Sequence, residues 1–308
     1  MAIYKKERFG IARKIVSNMT AESWETIPHA VVSYEADVTE FMKEYKKLNE
    51  GCTDKAKKIS INTVVMKIIC EGLMAAPKMN CHLKFERKLV RGKLLYHDRV
   101  NVSMPVVLPD GRMMTVNLRH MESKSLLKMT EIINDTMRRM QNTNMDEAMF
   151  EVSLDNTLKG LKKGKIKQAV LRLIGSKTGK HKVRTLKGDA KKKYYSIPEK
   201  DRLTKKDIEQ GTVTISNLGS IHRDQTGMCF LLEIIPPQVT AIAVNAVRKQ
   251  PTVVTDENGN DTIAIREILP LTIAFDHKAL DYCDVLPFMK RLDEIFANPS
   301  VIHDWKGE

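Results

Sequence analysis

Fourteen lysines and arginines, and one acid, Asp189, fall between residues 159 and 193. The chain of 308 residues carries 51 basic and 38 acidic side chains in all, so outside this stretch the two signs balance. This segregation constrains the fold more than any other feature. A segment so cationic cannot enter a core, because a buried, unpaired ammonium costs far more than its apolar stem recovers. It is expected to be a solvated insertion in a neutral globular body. That body is long enough to bury a sizeable core. With 42% hydrophobic residues and 29% charged, wholesale disorder is excluded.

No apolar run reaches the roughly 18 residues of a membrane span; the best candidates, Val64–Met74 and Val239–Val247, are short or interrupted. The first fourteen residues are basic and lack the apolar core of a signal peptide. A soluble, cytoplasmic protein is expected. Cys52, Cys70, Cys81, Cys229 and Cys283 are dispersed with no CxxC spacing. Reduced thiols, no disulfide framework and no metal site follow as expectations.

The pattern alternates strands and helices. His29–Asp37 reads as a strand, Thr39–Leu48 as a helix capped by Thr39, and Ser60–Ala76 as a buried helix ended by Pro77. Arg99–Leu108 and Arg112–Leu118 are strands joined at Pro109-Asp110-Gly111. Ser123–Met140 is helical. Gly211–Asn217, Val239–Val247 and Ile268–Phe275 are strands, and Tyr282–Phe296 is an amphipathic helix. The fold class is a layered α/β domain. Within the cationic stretch, Ile166, Val170, Leu173 and Ile174 share one face of a short helix. Its aromatics are limited to Tyr194 and Tyr195, few for stacking bases. The plain reading is a solvated loop; the alternative is a surface for an anionic partner, whether protein, nucleic acid or lipid head group. Gly175–Lys180 imitates a phosphate loop, but three residues rather than four separate its glycines, and His181 replaces the magnesium-binding hydroxyl.

Two segments could carry chemistry. In Leu271–Asp281 (LTIAFDHKALD) an apolar strand ends at Asp276-His277, and Asp281 stands at a helix start. A histidine at a strand's C-terminal end lies where α/β proteins place their sites, yet on the pattern alone a solvated histidine and a plain helix cap are the default reading. Gly211–Gly219 (GTVTISNLG) brings Ser216-Asn217 to a glycine turn, where hydroxyl and N–H groups can meet an oxyanion or simply leave a strand. Residues His29, His82, His97, His120, His222 and His303 lack motif support, and surface or satisfied structural roles are expected; Cys283 reads as an inert helix cysteine.

Taken in order, these segments resemble the catalytic core of the dihydrolipoamide acyltransferases of 2-oxo acid dehydrogenase complexes, and more distantly chloramphenicol acetyltransferase. Ile11-Ala-Arg13, Met19-Thr20, Ile27-Pro-His-Ala30, Tyr34–Thr39, Val100–Val107 with Asp110-Gly111, Gly211–Gly219, Ile235–Val239 and Phe275–Asp281 carry the resemblance over residues 10–160 and 200–303. It implies one two-layer α/β sandwich of mixed sheet and helices, the CoA-dependent acyltransferase fold, spanning residues 1–308 and interrupted by the basic insertion at 161–198. It implies transfer of a short acyl group between coenzyme A, as substrate, and a dihydrolipoyl thiol or another small acceptor. His277 would be the general base and Ser216 the oxyanion donor. Asp281 would hold the site, with Arg13 as its candidate partner. The site would lie between subunits of a homotrimer. Three departures stand out. Tyr282 occupies the family's glycine and Lys278 its arginine, and no lipoyl or peripheral-subunit-binding domain is expected with this core. A lipoylated protein acting in trans, or another acceptor, is therefore expected. The alternative is a catalytically impaired trimeric scaffold that holds an anionic partner through residues 161–198.

Overall fold

A computed structural model describes residues 2–108, 111–162, 164, 166–183, 185–225 and 227–307. In chain order the elements are α1 (Ile11–Thr26), β1 (His29–Asp37), α2 (Thr39–Leu48), α3 (Ile61–Ala75), β2 (Cys81–Glu86), β3 (Arg91–Tyr96), β4 (Val102–Val107) and β5 (Met113–Leu118). There follow α4 (Leu126–Gln141), α5 (Met145–Lys162), α6 (Ile166–Lys177), α7 (Gly188–Tyr195), α8 (Lys205–Ile208), β6 (Val213–Asn217), β7 (Thr240–Val244), β8 (Arg248–Thr255), β9 (Asp261–Asp276) and α9 (Tyr282–Ala297). Two units result: Met1–Glu22 with Asp135–Gln210, and Ser23–Asn134 with Gly211–Glu308.

The larger unit is built on a mixed sheet of order β1-β9-β7-β6-β4-β5, with β8 paired to the far half of β9. β6 runs parallel to β4 and β7, and every other pair is antiparallel. The central strand β7 is buried along its whole length, as its unbroken TAIAV requires. β1 instead alternates, with Val31, Ser33, Glu35 and Asp37 exposed. α3 packs against α9. Its sequence is apolar on all sides and it is buried almost throughout. Ser60 caps it by accepting the Thr63 N–H at 3.1 Å.

Several expectations shift. Thr39 is the first helical residue of α2 rather than its cap. Its N–H and hydroxyl both donate to Asp37 Oδ1, at 3.0 and 2.6 Å, and its hydroxyl accepts the Glu267 N–H at 2.9 Å. The strand expected at Ile268–Phe275 is the inner half of the 16-residue β9. Its outer half pairs with β8 around a turn in which Asp256 accepts the Asn258 and Asn260 N–H groups. The hairpin of β2 and β3 is not among the expected strands, although β2, CHLKFE, alternates apolar and polar residues. Pro109 and Asp110, the expected turn, lie outside the described residues.

The smaller unit holds the cationic segment. It is more than a solvated loop with one helix: α6 and α7 both form. The buried Glu147 of α5 accepts the Leu186 N–H at 2.9 Å and the Tyr195 hydroxyl at 3.2 Å, and Lys191 lies 3.7 Å away. These bonds hold the entry and the end of α7 on one buried carboxylate. Arg139 pairs with both oxygens of Asp207 at 2.9 and 3.0 Å, a fork geometry that a lysine would not give.

Candidate functional site

His277 follows β9 on a tight turn. Its N–H donates to the Pro28 carbonyl at 3.0 Å. The adjacent Asp276 is 2% exposed, and its carboxylate accepts the Lys278 N–H at 3.0 Å while pairing with the Lys278 ammonium at 3.3 Å. That ammonium also donates to the Thr26 carbonyl. Lysine thus does here what needs only a point charge, bridging a buried carboxylate and a backbone oxygen.

The ring of His277 is half exposed, and its Nδ1 lies 3.0 Å from the Leu280 carbonyl. A carbonyl only accepts, so Nδ1 carries the hydrogen and the neutral ring keeps its lone pair on Nε2. The Oδ1 of Asp281 is 3.5 Å from Nδ1, an ion-pair separation at a carboxylate 81% exposed. Its firmer role is local. Asp281 is the N-cap of α9 in a capping box: its side chain accepts the N–H of Asp284, and Asp284 accepts that of Asp281 at 3.0 Å. Lys78 donates to the other oxygen of Asp284 at 2.7 Å and holds that carboxyl below the ordinary carboxylate range. Tyr282 opens α9 outside the left-handed region, so the family's glycine is replaced at a position that any residue can adopt.

Ser216 lies buried in β6, whose two flanking glycines are steric necessities. A Cβ on Gly211 would lie 2.2 Å from the Asn101 carbonyl oxygen, and one on Gly219 would lie 2.7 Å from that of Asn245. Between them, the buried Gln238 donates to the Gly211 carbonyl at 2.9 Å and accepts from the Thr214 hydroxyl at 2.7 Å. The Gly211 N–H donates to Ser103 Oγ at 2.8 Å. Asn217 closes the strand, its Oδ1 accepting the Ser220 N–H at 2.8 Å and its Nδ2 donating to Asn62 at 2.8 Å.

His277 and Asp281 are brought together. Ser216 is not. The register aligns Ser216 with Ala243 of β7, and Ala243 with Thr272 of β9. Thr272 precedes His277 by five residues, roughly 16 Å of extended strand. Within one chain the serine and the histidine stand toward opposite ends of the sheet, too far apart to share a reacting atom. Arg13, the candidate partner of Asp281, falls on α1 in the other unit.

Sequence reasoning missed the Leu280 carbonyl, which no residue type could signal, and the buried Gln238. It also missed Lys78, whose distance in sequence from Asp284 hides the pair. Beside this turn, His29 lies opposite Asp276 in the β1–β9 register. It accepts the Ile234 N–H at 3.1 Å. His82 and His97 pack edge-to-face at 4.2 Å with an unsatisfied Nε2 on each, rather than the satisfied roles expected. Burial pushes His82 down to about 4. Cys283 is exposed on α9, and all five cysteines are free. Among the described residues no three His, Cys, Asp or Glu side chains are grouped to hold a metal ion, and no helix is long and apolar enough to cross a membrane.

The family described as 2-oxoacid dehydrogenases acyltransferase (catalytic domain) matches residues 4–153 and 188–303, leaving 154–187 between the two matched stretches. The dihydrolipoyllysine-residue acetyltransferase component of the pyruvate dehydrogenase complex of Rickettsia bellii is 23% identical over 94% of this chain and 52% of its own length. That of Mycoplasma pneumoniae is 24% identical over 91% and 52%. The chain spans about half the length of the curated relatives it matches. Among solved structures, the cubic core of the pyruvate dehydrogenase multienzyme complex superposes with a TM-score of 0.66 at 18% identity, covering 98% of this chain and 94% of that one. The dihydrolipoamide acetyltransferase of Azotobacter vinelandii does so with a TM-score of 0.64 at 18% identity, with the same coverage. These likenesses give the fold, and the match over both stretches shows that the chain belongs to the 2-oxoacid dehydrogenase acyltransferase catalytic-domain family.

Proposed function

We propose that this chain catalyses transfer of a short acyl group between coenzyme A and a dihydrolipoyl thiol, with each active site completed by a second copy in a homotrimer. The observation that carries the shared site is the sheet register: His277 and Ser216 stand about 16 Å apart along the strands of one chain. A base and an oxyanion donor can serve one thioester only if a neighbour supplies the other. The acceptor thiol would sit on a lipoylated partner acting in trans.

In this mechanism Nε2 of His277 takes the proton of the attacking thiol, because Nδ1 is committed to the Leu280 carbonyl. The thiolate adds to the thioester carbonyl, and the tetrahedral oxyanion accepts a hydrogen bond from Ser216 of the neighbouring copy. Collapse expels the thiolate of the leaving group, which recovers the proton from the imidazolium. No acyl-enzyme is needed; positioning of the two thiols supplies much of the rate. Asp281 is a positioning residue that holds the turn through the cap of α9. The Azotobacter vinelandii enzyme has been investigated for the catalytic roles of a serine, a histidine and an asparagine four places after that histidine. Asp281 has the same spacing from His277.

The test is transfer from a panel of short acyl-CoAs to dihydrolipoamide, by the parent, by His277→Ala, by Ser216→Ala, and by the two variants refolded together. Mixing is expected to restore about a quarter of the sites, those pairing an intact histidine with an intact serine. Recovery no greater than the sum of the separate variants would overturn the shared site. No transfer by a folded, assembled parent would favour the scaffold reading instead.

A further inference from the structure

Helix α6 presents its apolar side chains in a way that its role in the unit does not use. Ala169 is buried at 3%, so the helix rests on its neighbours through that flank. Ile166, Val170 and Ile174, at successive turns, are 62%, 45% and 51% exposed, and Leu171 beside them is 58% exposed. Lys167 is exposed on the same arc, one turn before Leu171 and two before Ile174. Lys162, Lys167, Lys180 and Lys182 form no ion pair with a described residue. The surrounding stretch 159–193 carries a net charge of +13. The helix lies wholly within residues 154–187, which the family match leaves out. Nothing in the fold or in the acyl-transfer reading accounts for four exposed aliphatic side chains set among unpaired lysines.

We propose that the outward face of α6 is a docking surface for an anionic phospholipid bilayer. A helix with bulky aliphatic groups on one arc and lysines beside them lies in the interface plane, its apolar side dipped among the acyl chains and its ammonium groups on the phosphates. Two observations favour lipid over nucleic acid. The exposed groups are aliphatic, which add nothing to a phosphate backbone contact. The two tyrosines of the stretch are already taken, Tyr194 being buried and both rings lying under Arg202 at 5.3 and 5.4 Å. Base stacking, the usual sequence-tolerant contact with single strands, therefore has no free aromatic platform here. The charge, meanwhile, matches a surface rich in phosphate. The proposal is independent of the acyl-transfer reading, and its test uses no thiol or acyl-CoA.

The full chain is sedimented with vesicles of phosphatidylcholine alone and of phosphatidylcholine carrying about a third phosphatidylglycerol, at low and at high salt. Binding is expected to the anionic vesicles only and to weaken with salt. Each lysine near such a surface multiplies affinity roughly fivefold, so Lys162→Gln with Lys167→Gln should weaken binding about 25-fold. Changing Ile166, Val170 and Ile174 to serine leaves the charge intact and should weaken it at least tenfold, since the apolar term is lost. Far-ultraviolet circular dichroism checks that this variant stays folded; the glutamine pair, which alters only exposed side chains, tests the proposal if it does not. Equal binding to neutral vesicles would overturn the proposal. So would a folded serine variant that binds as tightly as the parent. Binding to an oligonucleotide but to neither vesicle would replace the lipid with a polynucleotide.

Discussion

The two ends of the catalytic sheet are held in different ways. At the Ser216 end, strand β6 is locked by backbone contacts that exclude any Cβ at Gly219, and by a buried Asn245 whose amide accepts the Cys229 N–H and donates to the Pro270 carbonyl. At the His277 end, the ring is half exposed and is aimed by one backbone carbonyl. The cap beneath it, Asp281 and Asp284, leans on an exposed lysine. The difference suits a shared site. A donor that must meet a developing charge gains from a rigid, dry seat. A base that, as proposed, reaches into a neighbour's channel has to stand at the rim. Rigidity at the first end rests on packing and neutral hydrogen bonds, whereas at the second it rests partly on exposed charge, which pH and salt can reach.

The largest effect expected is at the chemistry itself. His277→Ala should lower kcat by about 10²–10⁴-fold, with the thermal transition unchanged because the ring is half exposed. Ser216→Ala should cost about 3 kcal/mol of transition-state stabilisation, read in kcat rather than KM. If either variant transfers acyl groups as fast as the parent, that end of the sheet has been misread. Next comes the seat of the serine. Asn245→Leu leaves the Cys229 N–H without its partner and removes the bond to the Pro270 carbonyl, and should destabilise the chain by about 1–3 kcal/mol in urea unfolding. The loss should be insensitive to salt, unlike losses at the other end.

How much of this was legible beforehand depends on what each feature rests on. Strand β1 was read to its end residues, and helix α2 to its end but for the cap, because their periods and flanking turn residues agree. The motif residues His277, Asp281 and Ser216 were legible from type and order. Their separation was not, since register across β6, β7 and β9 is set by long-range pairing that a linear pattern does not encode. The cationic segment was visible as charge alone. That Glu147 anchors it could not be read from an acid in an unremarkable helix. Conversely, Ile166, Val170, Leu173 and Ile174 were read as one helical face, but the period could not say which of them is covered: Leu173 is partly buried and the other three are exposed.

A smaller effect separates the two roles of Asp281. Asp281→Ala removes the side-chain cap and should cost about 1 kcal/mol of stability, with transfer reduced far less than in His277→Ala. Asp281→Asn keeps a cap of similar strength but removes the charge 3.5 Å from the ring. If the cap is what matters, asparagine restores both stability and kcat; if asparagine falls as low as alanine, the carboxylate acts on the imidazole directly.

The smallest effect is electrostatic. Lys78 depresses the folded-state pKa of Asp284 below its ordinary value. A carboxylate so depressed contributes stability that is present above its unfolded pKa, about 4, and is lost as pH falls through the lower folded value. Lys78→Met should therefore lower the thermal midpoint slightly near neutral pH and not at all once Asp284 is protonated in both proteins. Because Lys78 is half exposed, the difference should also shrink with added salt. The same titration on Asn245→Leu should show a gap constant across this acid range, since neither the Cys229 N–H nor the Pro270 carbonyl that it bonds ionises. If the Lys78→Met gap is equally constant, the histidine end is held by packing after all, and the contrast between the two ends of the sheet fails.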